Sequence, residues 1–308
     1  MTEKGPRQFN ALYEDKDKVK LIKARTTAAY WVRTGYGKGE IYRSSLLVKL
    51  LILIINKVSL LDPEGIGIEM EAGKPGWYDA LNGLPGLFGS STPETMELMR
   101  LCCWLKGVLI DIDDSREINL PEEANEFYIK LRELIENDLL DPFSHWEKRC
   151  LLREEYRERV FMGFSGKELR IKLKEIRGFL EKLASFLEKA VNQARNKKTG
   201  LYYTYFRYIP VEYSLTGETV AEKWKAIKAK KFKKQPLPLF LEGQVRAMEH
   251  LPGNKTAELH KQVMKSELYD KKLEMFRLNG DLSEMPPDIG RARAFSPGWL
   301  ENGSIWLH

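Results

Sequence analysis

Apolar residues recur at three- and four-residue spacing along most of the chain, the mark of helices that bury one face. The clearest run covers 165–195, where Leu169, Leu173, Ile176, Leu180, Leu183, Leu187, Ala190, Val191 and Ala194 share one side and Lys and Glu the other. Ser165 with Glu168 fits a capping box at its start. The same spacing predicts helices over 11–32, 44–61, 92–112 and 256–269. Others are predicted to start at Leu120-Pro121-Glu122-Glu123 and Asp141-Pro142, and after Pro236 and Pro238. Residues 92–112 are apolar over much of their circumference, which predicts burial on more than one side. Residues 201–213 (LYYTYFRYIPVEY) change character to aromatic and β-prone, an extended segment or hairpin edge. The pattern therefore predicts a mainly α protein, a single helical domain over 1–308 with a β-prone, lysine-rich excursion at 201–238.

Two stretches resist any periodicity. In 68–98, Gly73, Pro75, Gly76, Gly83, Pro85, Gly86 and Gly89 break the backbone around Glu69, Glu71, Trp77, Asp79 and Asn82. Glycine reaches positive φ and proline fixes its own, so this run is a loop until Thr92-Pro93-Glu94 supplies a helix start. The tail repeats the composition, with Gly280, Pro286, Pro287, Gly290, Pro297, Gly298 and Gly303 around Arg291, Arg293, Trp299, Glu301, Asn302 and His308. A Trp two residues from a carboxylate suits sugar chemistry, the indole packing on a pyranose face while the acid handles protons. The alternative is a structural loop whose Trp is buried and whose Asp caps a turn. Trp77 and Trp299 are thus sugar platforms or core aromatics, and Asn82 binds a sugar hydroxyl or caps a turn.

Composition narrows the class. The chain has 308 residues, enough for a sizeable core, with 43% hydrophobic and 31% charged residues, as in a globular protein. Its net charge of +6 comes from 50 basic and 44 acidic residues, largely interleaved, which favours salt-laced helix faces over a polyanion surface. Three cysteines, two of them adjacent at Cys102 and Cys103, form neither a disulfide framework nor a zinc site, and point to a reducing, cytoplasmic setting. The N-terminus has no signal-peptide core. The apolar run 45–61 is short and broken by Lys49, Asn56 and Lys57, so it reads as a buried helix and no membrane partner is expected. Residues 223–234 hold seven lysines around Trp224 and Phe232. That fits a single-strand nucleic-acid groove or a solvated lysine face; no recognised module surrounds it, so no nucleic-acid partner is expected. GYGKGE (35–40) looks superficially like a phosphate loop but lacks the following Lys-Ser/Thr and a preceding apolar strand. His145, His250 and His260 sit in helix-like contexts as surface or structural residues, and no cluster has metal-ligand spacing.

GWYDALN (76–82) and ENGSIWLH (301–308) resemble two signatures of the cellobiose phosphorylase-like glycoside phosphorylases. The first resembles that family's Gly-Asp-Trp-Asn-Asp-Gly-Met-Asn, and the second its Glu-Asn-Gly-Gly-Ile-Phe-x-His. Tyr78 stands in place of Asn, Ala80-Leu81 in place of Gly-Met, and Trp306-Leu307 in place of the usual pair. The resemblance implies an (α/α)6 toroid, Asp79 as general acid, and His308 holding the phosphate nucleophile. Inverting phosphorolysis of a β-glucosidic bond follows, with inorganic phosphate as co-substrate and no cofactor or metal. Trp77, Tyr78, Asn82, Glu71, Trp299 and Glu301 are then expected on the oligosaccharide, and Arg291 and Arg293 beside His308 on phosphate. Hydrolysis would instead need a base such as Glu69, Glu71 or Glu301 to activate water. A toroid needs about a dozen helices and the sequence suggests eight or nine. The chain is therefore expected to be a piece of a longer enzyme, completed by its missing remainder or a homo-oligomer.

Overall fold

The computed structural model of the chain describes residues 14–70, 81, 84, 88–136, 139–220 and 224–305. Helix and strand are mixed, at 47% and 20%, which corrects the expectation of a mainly helical, toroid-like domain. The helices are α1 (Lys16–Lys23), α2 (Leu46–Ser59), α3 (Thr92–Val108), α4 (Glu122–Ile135), α5 (Pro142–Val160), α6 (Leu173–Gln193), α7 (Leu241–Met248) and α8 (Gly253–Lys265). The strands are β1 (Ile68–Glu69), β2 (Ser90–Ser91), β3 (Glu117–Pro121), β4 (Glu168–Lys172), β5 (Tyr205–Val220), β6 (Trp224–Pro236), β7 (Tyr269–Asp270) and β8 (Met275–Phe276). Antiparallel pairing orders one sheet β1-β2-β5-β6, while β3-β4 and β7-β8 form two small ribbons.

Local chemistry explains several helix starts. The Ser45 hydroxyl accepts from the Val48 amide at 3.3 Å and opens α2, and Asp141 accepts from Ser144 at 3.0 Å ahead of Pro142 in the first turn of α5. The apolar face of α6 packs on α3, α4 pairs with α5, and α2 lies against both of the latter. Together they bury one core in which Leu51, Ile54, Leu131, Ile176, Leu180 and Leu183 lose all contact with water. A second core joins the ends of α3 and α6 to β5, α7 and α8 through Met96, Val191, Phe206, Ala247 and Val263. Cys102 lies inside the first core, where burial pushes its thiol up to about 12 and keeps it un-ionised.

The strands account for the corrections. The lysine run, expected as a solvated face next to a strand, does present its lysines to solvent but is itself the strand β6, hydrogen-bonded to β5 from Phe206↔Pro236 to Val220↔Trp224. It ends the sheet order, and Lys225, Lys228, Lys230, Lys231 and Lys233 are exposed along it, charge of the kind that blunts an edge strand. Ser165 and Glu168 do not cap α6. Residues 168–172 pair instead with 117–121, and the Ser165 amide donates to the buried Glu123 carboxylate at 2.8 Å. The predicted helix over 11–32 shrinks, among the described residues, to α1, and Ala28 then turns at φ 46°. The GYGKGE amides are spent on the protein: Gly35 N–H donates to Ser165 O and Tyr36 N–H to Phe164 O, leaving no phosphate cradle there. Among the described residues no helix is long and apolar enough to cross a membrane.

Candidate functional site

The first glycine-rich stretch is fastened at both ends. Ile68 pairs with Ser91 and Glu69 with Ser90, and the Met70 amide donates to Gly89 O at 2.8 Å, so residues 70–89 leave and return at one point of the sheet. Beneath that point lies Asp62, fully buried. Its Oδ1 accepts from the amides of Glu64 at 3.1 Å and Ile66 at 2.9 Å, and its Oδ2 from Gly67 N–H at 2.8 Å and Ser90 Oγ at 2.7 Å. Burial raises the Asp62 carboxyl above its ordinary range, and these donors oppose the rise. Gly67 has no room for a side chain: an added Cβ would stand 2.6 Å from Ser90 Oγ. The Tyr208 hydroxyl is near Asp62 without an acceptor in good geometry, and burial and the adjacent carboxylate drive its phenol far up.

Two buried arginines of α5 support the same point. Arg149 donates to Asp62 O at 3.1 Å and Val58 O at 3.4 Å, and Arg153 to Ser59 O at 3.3 Å. They supply cations and donors to the C-terminal carbonyls of α2, where the helix dipole is negative. Glu69, 4% exposed, accepts from the Trp146 indole N–H at 2.6 Å.

A third hydrophobic cluster brings the two glycine-rich stretches together. Leu81 and Leu84 of the loop, both fully buried, share it with Leu282, Met285, Ile289 and Ala292 of the tail, and with Tyr205 and Phe240 between them. Gly89 also lies so close to Leu84 that an added Cβ would meet Leu84 O at 2.5 Å. The tail is held by Asn302, which is fully buried. Its Oδ1 accepts from Leu282 N–H at 2.8 Å, and its Nδ2 donates to Phe295 O at 2.9 Å and Asp281 Oδ1 at 3.2 Å. The adjoining turn needs Gly298 and Gly303, at φ 84° and 73°, and forces Leu300 to φ 45°. Asn302→Ala is expected to orphan the Leu282 amide and the Phe295 carbonyl at a cost of about 2 kcal/mol. The checkable result is faster hydrogen exchange at Leu282 with little change at α4 or α6.

The candidate residues divide accordingly. Arg291 and Glu301 meet in a two-point ion pair, Nε to Oε2 at 2.9 Å and Nη2 to Oε1 at 2.7 Å. Arg293 is exposed, with its Nε 3.3 Å from Ser283 O, and Trp299 is 69% exposed. Glu71, Trp77, Tyr78, Asp79, Asn82 and His308 lie outside the described residues. His145 is structural, its Nε2 3.0 Å from Leu134 O. Among the described residues no group of three or more His, Cys, Asp or Glu side chains is placed to hold a metal ion. Sequence reasoning passed over Asp62, Arg149 and Arg153, because their role depends on burial under a distant loop. The Asp-Pro-Glu-Gly run at 62–65 was the one available signal, as a turn. Compared with protein-family models and with curated protein sequences, the chain matches none of them.

Proposed function

We propose that the chain cleaves a β-glucosidic linkage by inverting phosphorolysis, with Asp79 as the general acid. The observation that carries this reading is the cluster of Leu81 and Leu84 with Leu282, Met285, Ile289 and Ala292. It joins the loop bearing Trp77 and Asp79 to the segment bearing Arg291, Arg293, Trp299 and Glu301, two motifs far apart in sequence. The reading rests on these motifs and their meeting, without a toroid.

In the reaction the Asp79 carboxylic acid gives its proton to the glycosidic oxygen. The C1–O bond breaks with its electron pair leaving on that oxygen, while a phosphate oxygen attacks C1 from the opposite face. The products are an α-configured sugar 1-phosphate and a shortened saccharide, and Asp79 regains a proton from solvent. Phosphate is already an anion and needs no base, only donors and cations, for which Arg291, Arg293 and His308 are the residues at hand. Water would need a base. Of the three carboxylates considered for that role, Glu69 accepts from the Trp146 indole and Glu301 pairs with Arg291, while Glu71 lies outside the described residues.

Release of sugar 1-phosphate from β-linked gluco-oligosaccharides, with and without phosphate, tests the reading. Phosphate-dependent release that is lost in Asp79→Asn supports it; phosphate-independent release of free sugar replaces it with hydrolysis. Silence from wild type and variant alike sinks both. Arg291 faces phosphate while neutralised by Glu301, so Glu301→Gln is expected to free its charge and lower the KM for phosphate about 3- to 10-fold, from one charge-assisted contact. Steady-state kinetics at varied phosphate decides this, and an unchanged KM removes Arg291 from the phosphate site.

A further inference from the structure

A cleft of about 740 Å³ opens between α2, α3 and α7. Its volume falls in the range of small-molecule sites. The floor is apolar, made by Leu53, Pro93, Leu98, Leu101 and the Trp104 indole. Trp104 is 53% exposed and Leu53 46% exposed, and both line the same cleft. Large apolar groups grouped this way in a cleft, unlike ones scattered on a convex surface, mark a binding face.

The rim decides what kind of ligand fits. It carries Lys57, Arg100 and Arg246 against Glu94, Glu97 and Glu242, so its charges balance. All but Glu242 are also paired: Lys57 with Glu94, Arg100 with Glu97 at 2.8 Å, and Arg246 with Glu97 at 3.4 Å. An ionic ligand would have to break one of these pairs. A neutral ligand rich in hydroxyl groups is met instead by planar carboxylates that accept and guanidinium groups that donate, each with two atoms spaced for neighbouring hydroxyls. An apolar face on the same ligand would lie on Trp104. Hydroxyls at the edge of a ring and C–H groups on its face describe a pyranose.

The cleft is also linked to the described base of the candidate loop. Pro93 and Glu94 follow β2 directly, and Glu242 accepts from the Tyr205 hydroxyl at 2.9 Å, while Tyr205 packs in the cluster that holds Leu81 and Leu84. The geometry points to this cleft as a binding site for a neutral oligosaccharide, stacked on Trp104 and bound at its hydroxyls by Glu97, Arg100 and Arg246. The site deepens the reading above and rests on it for the choice of glucose units. Binding energy gathered there holds the remote part of a chain whose end reaches the loop.

Calorimetric titration of the Asp79→Asn protein with cellohexaose and with maltohexaose tests the site without turnover. Trp104→Ala is expected to weaken binding at least 10-fold, Trp104→Phe to keep most of it, and Trp31→Ala, an exposed indole that does not line the cleft, to change nothing. Trp104-dependent binding of maltohexaose alone supports the site while overturning the β-linkage of the proposed reaction. Equal binding by the Asp79→Asn protein with and without Trp104→Ala overturns the site, as does the absence of binding of either sugar at millimolar concentration. Light scattering gives the last arm: self-association that Trp104→Ala abolishes assigns the cleft to a second copy of the chain and also overturns it.

Discussion

Asp79→Asn is expected to slow phosphorolysis of β-linked gluco-oligosaccharides by about 10²- to 10⁴-fold, the usual contribution of a positioned general acid. Asparagine keeps the shape and loses the proton, so KM for the saccharide is expected to change little while kcat falls. The leaving group gives a sharper test. An alkoxide leaves poorly without protonation, whereas a nitrophenolate leaves unaided, so a nitrophenyl β-glucoside is expected to recover most of the lost rate. The alkaline limb of the pH-rate profile is expected to vanish in the variant, because that limb reports ionisation of the acid. Equal loss on both substrates would assign Asp79 to the structure of the loop and remove it from the chemistry.

Asp62→Ala is expected to produce the largest loss of stability of any single change near the site, about 4 kcal/mol. It strips acceptors from the amides of Glu64, Ile66 and Gly67 and from Ser90 Oγ, at a residue with no exposure to water. Asp62→Asn is no rescue, since its amide NH₂ must face one of two pairs of donors, and Gly67 N–H cannot turn round. A protein of ordinary stability, at 5–15 kcal/mol, is expected to melt roughly 10 °C lower. The pH dependence follows from the raised carboxyl of Asp62. The folded protein binds this proton more tightly than the unfolded chain, so its contribution is most favourable below the unfolded value near 3.8. It falls as pH rises through the folded value and is level above it. The Asp62→Ala penalty is therefore expected to shrink between acid and neutral pH, measured by urea melts at several pH values. A penalty that grows with pH would mean that the donors outweigh burial.

The two ends of the first glycine-rich stretch and the residues that pin the tail were legible to different degrees. The break in periodicity was plain along the sequence, because glycine and proline act through their own φ preferences and need no partner to do so. That its two ends would be stitched as β1 and β2 was not, since two-residue strands carry no periodic signal. Asn302 shows the same split: its place in Glu-Asn-Gly drew attention to the motif, but its work as the buried pin of the tail depends on Leu282 and Phe295 standing around it.

What the sequence determined by itself is local. Ser45 and Asp141 start α2 and α5 because each hydrogen-bonds an amide three residues on, and the face of α6 is apolar because its residues recur at helical spacing. The aromatic run at 201–213 became β5 for similarly local reasons. Only the tertiary structure decided the rest. Residues 168–172 became a strand because 117–121 offered a ladder, and the lysines of β6 became an edge because β5 lay beside them. The two glycine-rich stretches met because Leu81, Leu84, Leu282 and Ile289 all bury in one place. Backbone preference acts over a few residues and can be read along the chain, whereas burial and strand pairing join positions that the linear order keeps apart.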